Sequence, residues 1–296
     1  MNTLLLPWRF LQSLSWSGRL GLIMSLFWLL MAVFGTPLAP HSIDDIGGGP
    51  LMGGMTADNL LGTDYLGRDM LSRILYGAKF SIGLALSAAL LASLIGTLLA
   101  LLAAVTGRWL EELLGRVNDA LLVLPGKVLS LMIVAVFGSS LPMLILTAVF
   151  TYWPGAFRIA FAMASSLRSM DYVRASRLRG ESRWYIAIHD ILPNMVHPML
   201  TDFGLRFVYI VLLLSGLSFL GLGVQPPYAD WGTLVRENLQ GLFNGSPAVL
   251  LPALAIARLT LCASLFIDSL HALRPMPLSH VGSCTRLPIP LCLLFL

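Results

Sequence analysis

The chain has 296 residues, of which 57% are hydrophobic and only 11% are charged, and its net charge is +4. Soluble domains carry about 25% charged residues, so this chain lacks the ionised groups needed to cover a soluble protein of its size. The composition therefore excludes an ordinary soluble enzyme and indicates a membrane protein. The basic excess is typical of cytoplasmic loops in such proteins and does not require a nucleic-acid partner.

The first apolar run and the cysteines exclude further kinds of protein and site. Leu20–Leu38 is longer than the core of about 7–15 residues found in signal peptides, so it is predicted to remain as a membrane span. Cys262, Cys284 and Cys292 form no C-x-x-C pair, and no histidine completes the spacing of a zinc site. We therefore expect no metal centre, no disulfide framework and no cofactor bound by this chain.

Six apolar segments are long enough to cross a bilayer. About 20 residues, each rising about 1.5 Å, span a hydrocarbon core about 30 Å thick. The six segments are Leu20–Leu38, Phe80–Thr106, Ala120–Phe137, Leu141–Phe157, Phe203–Leu222 and Ala248–Ile267. Because backbone polar groups in lipid must bond within their own element, all six are predicted to be helices. The expected fold is an all-α polytopic membrane domain over residues 19–275, between a short N-terminal segment (1–18) and an atypical tail (276–296).

Basic residues are distributed unevenly between the two sets of loops. Twelve arginines lie in the N-terminus, in residues 107–119 and 158–202, and in the tail, whereas only four basic residues lie in residues 40–79 and 223–247. Cytoplasmic loops of membrane proteins are enriched in lysine and arginine. The first set is therefore predicted to face the cytoplasm together with both termini, and residues 40–79 and 223–247 are predicted to be outer loops.

Three predicted spans contain a basic residue. Lys127 and Arg206 lie near span ends, where their long side chains are expected to reach the interface. Arg258 lies near the middle of the last span and is expected to face a partner or a water-filled translocation path. The first five predicted spans contain no acidic residue, which disfavours an intramembrane enzyme, since such an enzyme needs a catalytic pair at membrane depth.

The cytoplasmic connection 158–202 is far longer than the roughly 2–8 residues that join helices in bundles. Its sequence predicts one helix over residues 173–179, capped by Asp171 and ended by Gly180. A second short amphipathic helix is predicted over residues 181–188, with Leu192-Pro193-Asn194 as its stop signal. Two interpretations follow from the residues alone: the element docks a partner protein, or it lies in the headgroups with its arginines on anionic lipid.

This loop resembles the "EAA" loop of binding-protein-dependent ABC permeases, E-A-A-x3-G-x9-I-x-L-P, with Ala175, Gly180, Leu192 and Pro193 in register. Two longer stretches, LGTDYLGRDMLSRILYGAKFS (61–81) and LSFLGLGVQPPYADWGTLV (217–235), resemble the dipeptide/oligopeptide/nickel permeases, most closely the C-type subunit. The resemblance covers residues 19 to 270. The loop departs from the pattern at the following positions: Arg174, Ser176, Arg179 and Asp190.

The resemblance implies a type I ABC importer permease fold in the bacterial inner membrane and no enzymatic activity in this chain. It further implies a second homologous permease subunit, two ABC ATPase subunits that use ATP and Mg, and an extracytoplasmic binding protein that delivers a peptide or, as the second choice, nickel or a metal chelate. The implied ATPase-coupling residues are Arg174, Ala175, Ser176, Gly180, Glu181, Leu192 and Pro193. A stand-alone channel and an intramembrane enzyme are the alternatives.

The outer segment that follows the first span alternates acidic and basic residues. Asp64, Arg68 and Asp69 surround Gly67, which predicts exposed ion pairs that shape this segment. In the resembling family it lies at the outer mouth, and a solvated connector is the alternative. The glycine run 47–49 lacks the lysine of a phosphate-binding loop and is predicted to be a flexible loop. Beyond the fifth span, Trp231 is predicted to be an interfacial anchor.

Overall fold

A computed structural model describes residues 15–42, 45–243 and 246–272, with side chains described as far as Leu270. The predicted tail 276–296 and most of the N-terminal segment lie outside these residues. Nine α-helices occur within the described part of the chain: α1 (Trp16–Leu38), α2 (Met70–Thr106), α3 (Arg108–Leu122), α4 (Gly126–Phe137), α5 (Leu141–Arg168), α6 (Asp171–Leu178), α7 (Leu192–Phe219), α8 (Trp231–Glu237) and α9 (Leu250–Ala272). A helical turn at Arg183–Tyr185 and a π-helical segment at Ile186–Ile191 precede α7, and a 3₁₀ turn at Leu239–Leu242 follows α8.

Five of the described helical stretches are long and apolar enough to cross a membrane, and the count reaches six if the bent pair α3–α4 forms one span. The all-α polytopic fold is confirmed, but the continuous helix predicted over Ala120–Phe137 is interrupted between Leu122 and Gly126. The chain bends by 86° between α3 and α4, where Pro125 lacks the N–H that a continuous helix requires. Helix α4 has 12 residues, a length of about 18 Å, which is shorter than a hydrocarbon core.

Several helices extend beyond the predicted spans. Helix α2 begins at Met70, ten residues before the predicted span, because the Asp69 carboxylate caps it by accepting a hydrogen bond from the Ser72 N–H. The outer loop therefore ends at residue 69 rather than 79. Helix α5 continues past Phe157 to Arg168. Apolar content marks only the part of a helix that lipid covers, whereas backbone hydrogen bonding continues into the aqueous layers.

The central interface joins α2 to α5 through small side chains. Gly96 of α2 lies directly against Ala156 and the Phe157 backbone of α5, with no room for an added Cβ. Buried alanines surround this contact: Ala85, Ala88, Ala89, Ala92, Ala100, Ala103 and Ala104 on α2, and Ala148, Ala160 and Ala164 on α5. Small residues let helix backbones approach closely in a membrane, where packing replaces the hydrophobic effect between helices.

Helix α8 packs at the end of the bundle where α2 begins. Trp231, its first residue, is fully buried, and its indole N–H donates to the carbonyl oxygen of Ile74 in α2 at 3.0 Å. Its backbone N–H donates to the Ser81 hydroxyl, and its ring packs edge-on against Trp28 of α1. The prediction of an interfacial anchor is therefore wrong: a tryptophan has one N–H donor, and here the backbone of α2 accepts its hydrogen bond in place of headgroups or water.

Candidate functional site

Gly180 ends α6 in a Schellman motif. Its φ is +84°, its N–H donates to Arg177 O at 3.0 Å, and the N–H of Glu181 donates to Ser176 O at 3.2 Å. The prediction that α6 stops at Gly180 is confirmed. Asp171 is not the capping residue: Met170 occupies that position, and Asp171 is the first residue of the helix, where its carboxylate favourably meets the positive end of the helix dipole.

The chain after Gly180 leads directly into a membrane helix. The Ser182 hydroxyl accepts from the Tyr185 N–H, and the turn continues without a break through the π-helical segment into α7. Pro193 therefore lies in the first turn of α7 and does not stop a helix, and the predicted fifth span begins eleven residues earlier than Phe203.

The surface around Gly180 presents large apolar side chains to solvent. The side chain of Leu178 is 90% exposed, and Trp184 and Ile188 are more than half exposed. Among the predicted coupling residues, Arg174, Ala175, Gly180 and Pro193 are exposed, Glu181 and Leu192 are half-buried, and Ser176 is buried. Residues 171–191, which we call the coupling element after their predicted role, thus carry large apolar side chains that are exposed.

The opposite face of the coupling element is anchored in the bundle. Val173, Ile186 and Ile191 are buried in one apolar cluster with the ends of α2 and α5. Arg183 adds a polar link, because its Nη1 donates to Thr106 O at the end of α2 at 2.6 Å. Next to it, Arg168 Nη1 at the end of α5 donates to Ala104 O at 2.8 Å and joins α5 to α2. The element is thus attached to three membrane helices. Its exposed ion pairs, such as Arg174–Asp171 at 3.7 Å, add little to this attachment.

Asp64 is the centre of a buried ion-pair cluster in the outer segment. It is 0% exposed and accepts from the N–H groups of Leu66 and Arg68, from Arg68 Nε at 2.8 Å and from Arg73 Nη1 at 2.6 Å. Arg73 also donates to Glu237 at the end of α8, at 2.9 Å. The predicted ion pairs exist but are buried rather than exposed. Removal of one partner from such a pair typically costs about 3–5 kcal/mol.

The glycine run 47–49 contacts this same segment. The Gly47 N–H donates to Leu66 O at 3.1 Å, and a Cβ on Gly67, whose φ is +75°, would lie 2.5 Å from Gly49 O. Residues 47–49 are thus packed against the turn at 64–67, contrary to the predicted flexible loop. Asp69 takes no part in the arginine pairs. It caps α2, and its carboxylate lies 3.7 Å from His41 Nδ1.

The basic residues of the predicted spans differ in their surroundings. Arg206 does not extend to the interface: it is buried against the Asp202 carboxylate in α7. Lys127 is exposed in the first turn of α4. Arg258 is exposed on α9, and within the described part of the chain no carboxylate lies within 4 Å of it. Its assignment to a translocation path stays a prediction.

Two acidic residues of these clusters are not evident from the sequence. Asp202 stands four residues before Arg206, a helical spacing that favours an ion pair, but it falls just outside the predicted span. Glu237 lies 164 residues from its partner Arg73, and no local pattern links the two.

Comparison with known proteins assigns the family. Residues 96–273 match the model of the binding-protein-dependent transport system inner membrane components. A putative peptide transport system permease of Brucella suis is 37% identical over 214 residues, which are 72% of each chain. The dipeptide transport system permease of Alkalihalophilus pseudofirmus is 32% identical over 85% of this chain and 83% of the relative. The dipeptide transport system permease of Bacillus subtilis is also 32% identical, over 76% of this chain and 70% of the relative.

These proteins are transport permeases, so an intramembrane enzyme is not favoured. The matched region contains the coupling element and the small-residue contact between α2 and α5. The chain belongs to the family of binding-protein-dependent transport system inner membrane components and is a multi-pass membrane permease with the type I ABC importer fold.

Proposed function

We propose that this chain is one of two paired permease subunits of an ABC importer that carries peptides across the bacterial inner membrane. The names of the relatives given above support peptide as the substrate class, because these proteins are peptide or dipeptide transport permeases. None of the relatives named above is described as a nickel permease, so peptide is favoured over nickel or a metal chelate. An extracytoplasmic binding protein delivers the peptide to the outer end of the bundle, where the Asp64 cluster lies.

The coupling element carries this proposal. Its exposed apolar surface around Leu178 and Trp184 has the character of a docking site, while its buried face is joined to α2, α5 and α7. Two ATPase subunits dock there, one on each permease, and they bind the ATP and Mg. The arginine-rich end of the bundle faces the cytoplasm, because basic loops are retained inside. Both termini then lie on the cytoplasmic side.

The connection to α7 supports a mechanical role. Residues Arg183–Phe219 form one helical stretch of 37 residues, about 55 Å long, that runs from the coupling element to the outer end of the bundle. The buried Ile186 and Ile191 hold its inner end in the apolar cluster. A displacement of the coupling element therefore moves α7 as a rigid body, which is the kind of helix shift that alternates access.

The proposal is tested by reconstitution of the chain with its second permease, its ATPase subunits and its binding protein in vesicles. We expect peptide uptake that requires ATP and the binding protein. Leu178→Glu should abolish both ATPase retention during purification and uptake, since it places a charge in the docking surface. Phe243→Ser, at an equally exposed apolar residue of the outer loop, should retain the ATPase subunits. Uptake of peptide without ATP would show a stand-alone channel instead.

A further inference from the structure

A basic cavity lies where the coupling element meets the ends of α2 and α5. Its volume is about 400 Å³, and it is lined by residues 104–107 of the chain together with Arg168, Arg177, Glu181 and Arg183. Three guanidinium groups and one carboxylate give these side chains a net charge of +2. Glu111 lies 3.5 Å from Arg168 and Arg179 lies 3.9 Å from Glu181, and these two neighbours cancel, so the net charge stays +2. The volume lies within the roughly 300–1,000 Å³ of small-molecule sites. An anion is therefore the favoured occupant.

The hydrogen bonds around the cavity leave donors for such an anion. Bare carbonyl groups at the end of α2 would repel it, because a helix carries partial negative charge at its C-terminus. Arg168 and Arg183 occupy two of these carbonyls, those of Ala104 and Thr106, with one Nη1 each. A guanidinium has five N–H donors, so both arginines keep further donors. The side chain of Arg177 has no hydrogen-bond or ion-pair partner within the described residues, and the Arg177 backbone carbonyl accepts from Gly180.

The position of the cavity identifies the source of the anion. It lies at the end of membrane helix α2, beside the coupling element and on the arginine-rich side of the bundle. Basic pockets between membrane helices on the cytoplasmic side recognise anionic headgroups, and the inner leaflet is rich in such lipids. A headgroup phosphate offers several acceptor oxygens to the forked donors of arginine.

We propose that this cavity binds the phosphate of an anionic phospholipid from the inner leaflet. The phosphate bridges Arg168 on α5, Arg177 on α6 and Arg183 on the turn before α7, and so ties the coupling element to the end of α2. This inference rests on the proposed function in one respect, namely that the arginine-rich end of the bundle faces the cytoplasm. It does not depend on which substrate is transported. It is tested by lipid binding alone, so its failure would leave the transport proposal intact.

Native mass spectrometry of the purified full-length chain in mild detergent provides the test, with phosphatidylglycerol and phosphatidylcholine as probes. We expect one tightly retained phosphatidylglycerol and weaker retention of phosphatidylcholine. Arg177→Gln should weaken phosphatidylglycerol binding about five-fold, since one basic residue near a membrane surface contributes a factor of this order. Arg177→Lys, which keeps the charge, should restore part of the affinity. Because the Arg177 side chain has no described partner, its substitution should leave the fold intact.

Arg116→Gln, at an exposed arginine of α3 outside the cavity, is the matched control and should bind phosphatidylglycerol like the wild type. Equal retention of both lipids, or equal losses in Arg177→Gln and Arg116→Gln, would overturn the proposal. Displacement of phosphatidylglycerol by millimolar inorganic phosphate would show a site for free phosphate instead. Loss of the lipid on assembly with the ATPase subunits would assign the cavity to an acidic protein partner and would equally overturn it.

Discussion

Arg206 donates two hydrogen bonds to the carboxylate of Asp202, one turn earlier in α7, with Nε–Oδ2 and Nη2–Oδ1 distances of 2.6 and 3.0 Å. Its Nη1 donates to the carbonyl oxygen of Tyr152 in α5 at 2.8 Å. Both side chains are buried between membrane helices. A charge at this depth is tolerated because the two groups neutralise each other. The pair joins α5 to α7, the helix that continues from the coupling element.

Removal of only one partner of this pair should destabilise the protein strongly. Asp202→Leu leaves the Arg206 guanidinium buried without its counter-charge, and we expect a loss of about 3–5 kcal/mol in the free energy of unfolding. Asp202→Leu with Arg206→Met should recover most of this loss. The measurement is unfolding of the purified protein in a denaturing detergent titration. Asp58→Asn, at an exposed outer carboxylate, is the control, and a double variant as unstable as Asp202→Leu would contradict the prediction.

Gly67→Ala should unfold the outer segment locally. A side chain at this position is disfavoured by the left-handed φ of +75° and because its Cβ would lie 2.5 Å from Gly49 O. The left-handed conformation alone lowers the stability of a residue with a Cβ by about 1–2 kcal/mol. In right-side-out vesicles, we expect an added protease to cleave residues 45–69 of Gly67→Ala faster than those of the wild type. Gly54→Ala is matched to it, since no atom lies within 4 Å of the added Cβ. Equal protease sensitivity of the two variants would refute the prediction.

Gly180 should be required for its backbone conformation rather than for its size. Its φ is +84°, and a Cβ would meet no atom within 4 Å in this chain. Asparagine adopts the left-handed conformation more readily than a β-branched residue does, so we expect Gly180→Asn to retain most coupled transport and Gly180→Val to lose it. ATP hydrolysis and uptake are measured in parallel in reconstituted vesicles. Normal coupling in Gly180→Val would exclude this role.

Asp230, the capping residue of α8, should make stability depend on pH. Burial raises the pKa of its carboxyl, while hydrogen bonds from Thr233 and Ser218 offset part of the rise. When the folded-state pKa lies above the unfolded value, the folded state holds the proton more tightly. The contribution to stability is therefore complete below the unfolded pKa and is lost as pH rises through the folded pKa.

Asp230→Asn removes the charge but keeps the cap, because asparagine also caps helices. At neutral pH we expect the variant to be at least as stable as the wild type, and its advantage should shrink as the pH falls and the wild-type carboxyl becomes protonated. Thermal unfolding across this pH range measures the difference. An advantage of Asp230→Asn that grows on acidification would show that the sign is wrong.

The membrane location, the helical class and the short helix that ends at Gly180 all follow from the amino-acid sequence. These depend on local features: long apolar runs, a connection rich in arginine, and Gly180 at the end of a short helix. Local hydrogen bonding and lipid solvation act within one segment, so neighbouring residues contain the necessary information. Two predictions from local sequence were wrong. The apolar run 120–137 is broken at Pro125, and the helix continues through Pro193, which was predicted to stop it.

Which polar residues are buried, and what they contact, is visible only in the folded arrangement of the helices. Arg73 meets Glu237 across 164 residues, and the Trp231 indole meets Ile74 across 157. The sequence shows the charges around Asp64 but not their burial, because burial depends on α8 folding back over the start of α2. The cavity of Arg168, Arg177 and Arg183 likewise forms only where three separate segments converge. Contacts of this kind result from packing between helices. The residue pattern within one segment therefore does not predict them.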